Sequence, residues 1–113
     1  MHALIIEDES LIQVMIETYL EDLGFTSFEH AKTQDEAIAC ARSRVPDLIT
    51  ADLHLAEGSG QEAARAIRTE HPVPVVLIVG DVQRVRASEF TIVEKPFTFD
   101  TLKQAVTIAM QAG

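Results

Sequence analysis

The chain has 113 residues, of which 47% are hydrophobic and 24% charged, a composition that excludes a disordered or low-complexity protein and predicts one globular domain over residues 1–113. Its 18 acidic and 9 basic residues give a formal net charge of −9. Such a surface repels phosphate backbones and anionic lipids, so we expect no direct nucleic-acid or membrane binding. A cation, or a partner protein with a basic patch, is the more favourable ligand.

The N-terminus and the cysteine content argue against a secreted protein. Only four apolar residues, at positions 3–6, precede an acidic run, which is neither a signal peptide nor a membrane span. The single cysteine, Cys40, excludes an intrachain disulfide, and no cluster of cysteine and histidine has the spacing of a zinc site. We therefore expect a soluble cytoplasmic protein.

Five short apolar runs alternate with amphipathic stretches along the chain. Apolar residues recur at helical spacing from Leu11 to Leu23, and Gly24 is placed to end that helix. This alternation predicts an α/β fold with a mostly parallel sheet. The runs predicted as strands cover residues 3–6, 25–30, 48–51, 75–79 and 91–94.

Two capping boxes mark the starts of further helices. The motif TQDE at residues 33–36 predicts a helix to about residue 44, and SGQE at residues 59–62 predicts one to about residue 70. A last helix presents Phe99, Leu102 and Val106 on one face. Only ten residues, 80–89, lie where another helix belongs, so the fourth of about five helices should be short or irregular.

Charged residues follow several of the predicted strands. In open α/β sheets the functional crevice lies beyond the carboxyl ends of the strands, so these side chains should converge at one edge. Adjacent carboxylates repel one another unless a cation or a proton joins them, and Mg²⁺ prefers such oxygen ligands. A cation and a lysine around one carboxylate would neutralise a phosphoryl group transferred to it. The residues concerned are Glu7, Asp8 and Glu9 after the first strand, Asp52 after the third, Asp81 after the fourth and Lys95 after the fifth.

The order and spacing of these motifs resemble the receiver domain of two-component response regulators over nearly the whole chain. The matching segments are LIIEDE at residues 4–9, DLITAD at residues 47–52, Gly60 eight residues later, and KPF at residues 95–97. The resemblance implies a flavodoxin-like, doubly wound, five-stranded parallel sheet in the order 2-1-3-4-5. It also implies a cis peptide bond before Pro96.

The same resemblance implies roles for individual residues. Asp52 would be the phosphoacceptor and Lys95 the phosphate-binding lysine. The ligands of Mg²⁺ would be Glu7, Asp8, Asp52 and the backbone carbonyl of His54. The phosphoryl donor would be a histidine kinase or a histidine phosphotransfer protein. The chain would not be an enzyme beyond Mg²⁺-dependent self-phosphorylation and autodephosphorylation.

A narrower resemblance lies in the segment LAEGSG at residues 55–60 and in the shortened fourth helix. Both are similar to the receivers of alphaproteobacterial general-stress regulators and their single-domain relatives. The 113 residues hold no recognisable DNA-binding or catalytic output domain, so output should be contact with an unknown downstream protein.

Several positions depart from the family pattern. Val79 stands where the family carries a threonine or serine whose hydroxyl binds the phosphoryl group, and Ile92 stands where it carries the aromatic switch residue. Phe90 lies on the same strand face as Ile92 and is a possible substitute. Glu7 replaces the usual aspartate. His54 and Asp81 lie at positions that, in relatives, control the access of water to the phosphorylated aspartate. We hypothesise that Asp52 remains reactive while the output switch is altered.

Other interpretations of the chain and of its acidic run remain open. The chain can be a degenerate receiver that acts as a phosphorylation-independent docking module. Val79 and Ile92 favour this interpretation, and Asp8, Asp52 and Lys95 oppose it. A metal-dependent phosphohydrolase is disfavoured because His54 stands where aspartyl phosphatases usually place a second aspartate. Nucleotide binding is disfavoured because no glycine-rich fingerprint follows the first strand. The acidic run at residues 7–9 can also be a first helical turn that favours the helix dipole.

Overall fold

The computed structural model describes residues 1–80 and 89–112. The five strands are β1 (His2–Ile6), β2 (Ser27–Ala31), β3 (Leu48–Asp52), β4 (Val75–Val79) and β5 (Thr91–Glu94). The described part of the chain holds the helices α1 (Ser10–Asp22), α2 (Gln34–Ser43), α3 (Gly60–Glu70) and α4 (Phe99–Ala112). The predicted short helix after Gly80 lies outside the described residues. None of these helices is both long enough and apolar enough to cross a membrane.

All strand pairs are parallel, and the sheet order is β2-β1-β3-β4-β5. This confirms the predicted flavodoxin-like order. Strand β1 pairs with both β2 and β3. The chain adds β2 on one side of β1 and the later strands on the other, so the strand order reverses at β1. The crevice that this reversal opens lies at the carboxyl ends of β1 and β3, where ligands bind in this class of fold.

Two hydrophobic clusters cover the two faces of the sheet. Alternate residues of each strand point to opposite faces, so Leu4 and Ile6 join one cluster while Ala3 and Ile5 join the other. Residues of α2 and α3 complete the first cluster, and residues of α1 and α4 complete the second. Because both faces are buried, β1, β3 and β4 are almost continuously apolar, which is the pattern that the sequence showed.

The predicted helix boundaries agree with the structure. The Thr33 hydroxyl accepts a hydrogen bond from the Glu36 amide at 3.1 Å, and Ser59 accepts one from Glu62 at 3.3 Å. Each bond satisfies a backbone donor that the first helical turn leaves unpaired. Gly24 follows the end of α1 with a φ of +99°, a left-handed conformation that favours glycine.

The predicted start of the second strand was wrong by two residues. The Phe25 amide donates to the carbonyl of Leu20 at 3.1 Å, so Phe25 belongs to the turn that closes α1. Its ring is buried in the second cluster, which explains why the apolar pattern appeared to continue into the strand. Strand β2 begins at Ser27.

Candidate functional site

The carboxyl edge of the sheet gathers acidic groups from two neighbouring strands. Glu7 and Asp8 directly follow β1, and Asp52 is the last residue of β3. One carboxylate oxygen from each of the three residues lies within 4.8 Å of the other two. The parallel pairing of β1 with β3 produces this arrangement, because it brings the ends of both strands to the same level.

Lys95 reaches the same edge from the end of β5. Its Nζ atom lies 3.0 Å from Oδ2 of Asp52, and its backbone amide donates to the carbonyl of Val79 at 2.8 Å. The peptide bond between Lys95 and Pro96 is cis, as the family resemblance implied. Partial burial of the ammonium lowers the pKa of Lys95, but its hydrogen bond and ion pair with Asp52 outweigh this and raise the pKa overall.

Glu7 is the most buried of the acidic side chains, with 1% of its surface exposed. Its Oε2 atom accepts a hydrogen bond from the Glu9 amide at 3.0 Å, whereas the buried Oε1 has no hydrogen-bond partner among residues 1–80 and 89–112. Burial raises the pKa of Glu7 to about 7; the Glu9 amide opposes the increase, and Asp8 and Asp52 add to it. A buried, unpaired carboxylate oxygen among other carboxylates has the donor chemistry of a divalent-cation ligand.

Asp8 connects this edge to the loop after β3. Its Oδ2 atom accepts a hydrogen bond from the Ala56 amide at 2.7 Å. The neighbouring carboxyl group of Glu7 lowers the pKa of Asp8, burial partly opposes that effect, and the Ala56 amide lowers the pKa further. Asp8 is therefore the ionised member of the adjacent pair, while Glu7 retains a proton more readily.

The loop after β3 also brings His54 to the site. The His54 amide donates to Oδ1 of Asp52 at 3.3 Å, while the imidazole is exposed. This bond turns the start of the loop toward the carboxylate. The proposed metal ligation by the backbone carbonyl of His54 stays a prediction.

Gly60 begins α3 directly beside Asp52. A Cβ atom at this position would lie 1.9 Å from the carbonyl oxygen of Asp52, a distance that no side chain can tolerate. The helix therefore approaches the end of β3 only because residue 60 has no side chain. Gly60 is thus a structural requirement for the site.

Two contacts at the site were missed by the sequence analysis. The Ala56 amide has no signature in the sequence, because any residue except proline supplies this donor. Gln13 donates its side-chain amide to the carbonyl of Glu7 at 2.6 Å, and it is 9% exposed. Gln13 lies on the same helix face as Ile16 and Leu20, and this spacing is visible in the sequence. A polar residue on a buried face needs a hydrogen-bond partner, so the pattern could have indicated the contact.

The two predicted switch positions lie in the first hydrophobic cluster. Val79 is fully buried at the end of β4, and Ile92 packs against the same cluster. Phe90 is buried there as well, with the guanidinium carbon of Arg68 5.7 Å from its ring centroid. The other position that the sequence singled out beside the site, Asp81, lies outside the described residues.

This site and fold define a receiver-type signalling domain, and comparison with known proteins agrees. The response regulator receiver domain family matches residues 3–107, so the chain belongs to this family. The solution NMR structure of the PhyR receiver domain from Erythrobacter litoralis is similar, with a TM-score of 0.89 and 31% identity over 97% of this chain and 89% of that chain. The crystal structure of PhyR from Brucella abortus has a TM-score of 0.90 and 35% identity, covering 98% of this chain and 48% of that chain.

The curated relatives point to the same family. The phyllosphere-induced regulator PhyR of Methylorubrum extorquens is 38% identical over 100 residues, which cover 83% of this chain and 38% of that protein. These PhyR matches confirm the narrower resemblance to general-stress receivers. The chain spans 30% to 51% of the lengths of three curated relatives. Receiver domains are generally signalling modules, and the enzyme activities in the names of some relatives belong to those longer proteins.

Proposed function

We propose that the chain is a phosphoacceptor domain in which Asp52 takes a phosphoryl group from a phosphohistidine of a histidine kinase or a histidine phosphotransfer protein. The observation that carries this proposal is the position of Asp52, which is 7% exposed and lies between the Lys95 ammonium and the carboxylates of Glu7 and Asp8. This is an acceptor with a cation on one side and a divalent-cation site on the other. The phosphoryl-accepting domain is proposed to extend over residues 1–113, in the cytoplasm.

The donor set fits Mg²⁺. Glu7, Asp8 and Asp52 would supply oxygen ligands, with the His54 carbonyl as the proposed fourth, and a cation would give a partner to Oε1 of Glu7, which has none among the described residues. Bound Mg²⁺ would neutralise charge on the phosphoryl oxygens. The protein holds these ligands in place before the reaction, because Asp8 is fixed by the Ala56 amide and Asp52 by Lys95 and the His54 amide.

In the proposed reaction a carboxylate oxygen of Asp52 attacks the phosphorus atom of the donor. A P–O bond forms, the P–N bond to the donor imidazole breaks, and the imidazole nitrogen takes up a proton. The Lys95 ammonium, which pairs with the Asp52 carboxylate before the reaction, then pairs with the transferred phosphoryl oxygens and stabilises their negative charge. Water later attacks the phosphorus atom of the acyl phosphate, which releases inorganic phosphate and regenerates the Asp52 carboxylate.

An exposed apolar surface beside Lys95 is suited to the donor protein. Leu11 and Val14 on α1 are 73% and 61% exposed, and their neighbours along the helix, Ile12 and Met15, line a cavity of about 330 Å³. The cavity is lined by Ile12, Met15, Lys95, Pro96 and Phe97. We propose that an amphipathic helix of the donor packs here, because its apolar face would cover this patch and basic residues at its rim would complement the acidic chain.

The proposed output is contact with a downstream protein. Phosphorylation adds a charge of about −1.5 to −2 at the carboxyl edge. Val79 and Ile92 lack the hydroxyl and the aromatic ring that couple this charge to the surface in most receivers, so the coupling is proposed to be atypical. The second candidate is a phosphorylation-independent docking module. The retained set of Asp52, Lys95 and the acidic pair supports the phosphoacceptor instead.

Phosphoryl incorporation tests the proposal. The wild type, Asp52→Ala and the exposed control Asp100→Ala are incubated with acetyl phosphate and Mg²⁺ and weighed as intact proteins. We expect one added phosphoryl group in the wild type and in the control, none in Asp52→Ala, and none in any protein when EDTA is present. A wild type that binds no Mg²⁺ and gains no mass would overturn the phosphoacceptor proposal and favour the docking-only function.

A further inference from the structure

We propose that Gln13 is a positioning residue for the cation site, which rests on the proposed phosphoacceptor function. Its side-chain amide holds the turn between β1 and α1 so that the carboxylates of Glu7 and Asp8 face the same point. Gln13 does not touch the cation or the phosphoryl group in this proposal. It acts through the backbone that carries two of the ligands.

The burial of Gln13 shows that its amide has a specific role. It is the fourth residue of α1 and lies on the face that packs against the sheet, together with Ile16 and Leu20. Transferring an amide group from water to such a buried position costs free energy unless the group forms hydrogen bonds there. Its Nε2 atom meets this need with a 2.6 Å bond to the carbonyl of Glu7.

The carbonyl of Glu7 lies just beyond the sheet. Strand pairing of β1 with β2 and β3 ends at Ile6, and the Glu7 amide makes one further bond to the carbonyl of Ala31 at 2.9 Å. The carbonyl of Glu7 accepts its hydrogen bond from the side-chain amide of Gln13. A side chain from α1 therefore continues the hydrogen bonding at the point where the ladder stops.

This bond controls the geometry of both acidic residues. The Glu7 carbonyl and the Asp8 amide belong to one planar peptide group, so fixing that plane fixes ψ of Glu7 and φ of Asp8 together. Backbone amides also hold the two carboxylates: the Glu9 amide donates to Glu7, and the Ala56 amide donates to Asp8. Without the Gln13 amide the peptide can rotate, and the two carboxylates lose their common orientation.

The substitution Gln13→Met tests this role, since methionine keeps the length and flexibility of the side chain but has no N–H donor. Outer-shell partners of metal ligands typically change metal affinity about 10- to 100-fold, so we expect the Kd for Mg²⁺ in an NMR titration to rise by that factor. The phosphorylation rate with acetyl phosphate should fall at low Mg²⁺ and return to the wild-type rate at saturating Mg²⁺. The control Gln104→Met makes the same change at an exposed position of α4 and should leave the Kd unchanged.

Several outcomes overturn the proposal. An unchanged Kd in Gln13→Met, with only a lower melting temperature in EDTA, shows that Gln13 supports the fold and not the site. A rate that saturating Mg²⁺ does not restore also contradicts positioning of the cation ligands. If Gln13→Met does not fold, Gln13→Asn replaces it, because its shorter amide cannot reach the Glu7 carbonyl, and the same loss of affinity is expected. A wild type that binds no Mg²⁺ overturns the proposed function itself.

Discussion

At the residue scale, the burial of Glu7 has a consequence for the metal-free protein. A carboxyl group whose pKa is higher in the folded state than in the unfolded state favours folding while it is protonated. For Glu7 the pKa rises from 4.5 to about 7 because burial disfavours the charged form. Its stabilising effect is fully present below pH 4.5 and is lost as the pH rises through 7.

We therefore expect the metal-free protein to lose stability between pH 5 and pH 8 by on the order of 3 kcal/mol through Glu7. Urea unfolding in EDTA at both pH values measures the change. Glu7→Gln should show a smaller loss, because its side chain does not titrate. The exposed control Glu21→Gln should behave as the wild type. Equal losses in Glu7→Gln and the wild type would contradict this account.

At the element scale, the approach of α3 to β3 determines where the phosphoacceptor stands. The N-terminus of α3 is fixed by the Ser59 cap, and its first residue, Gly60, packs against the carbonyl of Asp52. The helix also buries Ala63, Ala64 and Ile67 against the sheet. The small side chains on this face allow the helix to lie close enough for the loop to bond both Asp8 and Asp52.

Gly60→Ala should disturb this approach. The added methyl group must push α3 away from β3, at a cost of about 1–3 kcal/mol in the free energy of unfolding. We also expect slower phosphorylation of Asp52, because its backbone shifts. Gly80→Ala is the control, since a Cβ there meets no atom of the described residues within 4 Å and should change stability by less than about 1 kcal/mol. Similar effects of the two substitutions would show that the contact at Gly60 is unimportant.

At the scale of the whole molecule, the proposed signal has to travel from Asp52 to a surface that a partner can recognise. The end of β4 is the adjacent element, and there Val79 offers only methyl groups. A hydrogen bond to a charged group contributes about 1.5–3 kcal/mol, so its absence weakens the preference of the phosphorylated protein for a second conformation.

Val79→Thr should restore that hydrogen bond. We expect the variant to bind the phosphoryl mimic beryllofluoride with Mg²⁺ about 10-fold more tightly than the wild type. NMR titration measures the affinity, and chemical shifts on β4 and β5 should change more in the variant. The control Val76→Thr places a hydroxyl on the opposite face of the same strand and should not increase affinity. Unchanged affinity in Val79→Thr would show that this chain does not use the position.

The fold was largely predictable because its signals are local. The apolar runs at residues 48–51, 75–79 and 91–94 matched strands closely, and both capping boxes marked true helix starts. The predicted start of β2 was less accurate, because Phe25 is buried in the turn that closes α1 and not in the sheet. The candidate site residues could be named because parallel strands place their carboxyl ends at one edge.

The sequence by itself determined the fold class, the family and the identity of the acidic and basic groups at the site, since periodicity and motif spacing are written along the chain. Only the tertiary structure decided that Glu7 is buried with one oxygen unpaired within the described part of the chain, that Gln13 binds its carbonyl, and that the Ala56 amide binds Asp8. The bond between Asp8 and Ala56 joins residues 48 positions apart. Burial and such contacts depend on how the layers pack, which no local pattern specifies.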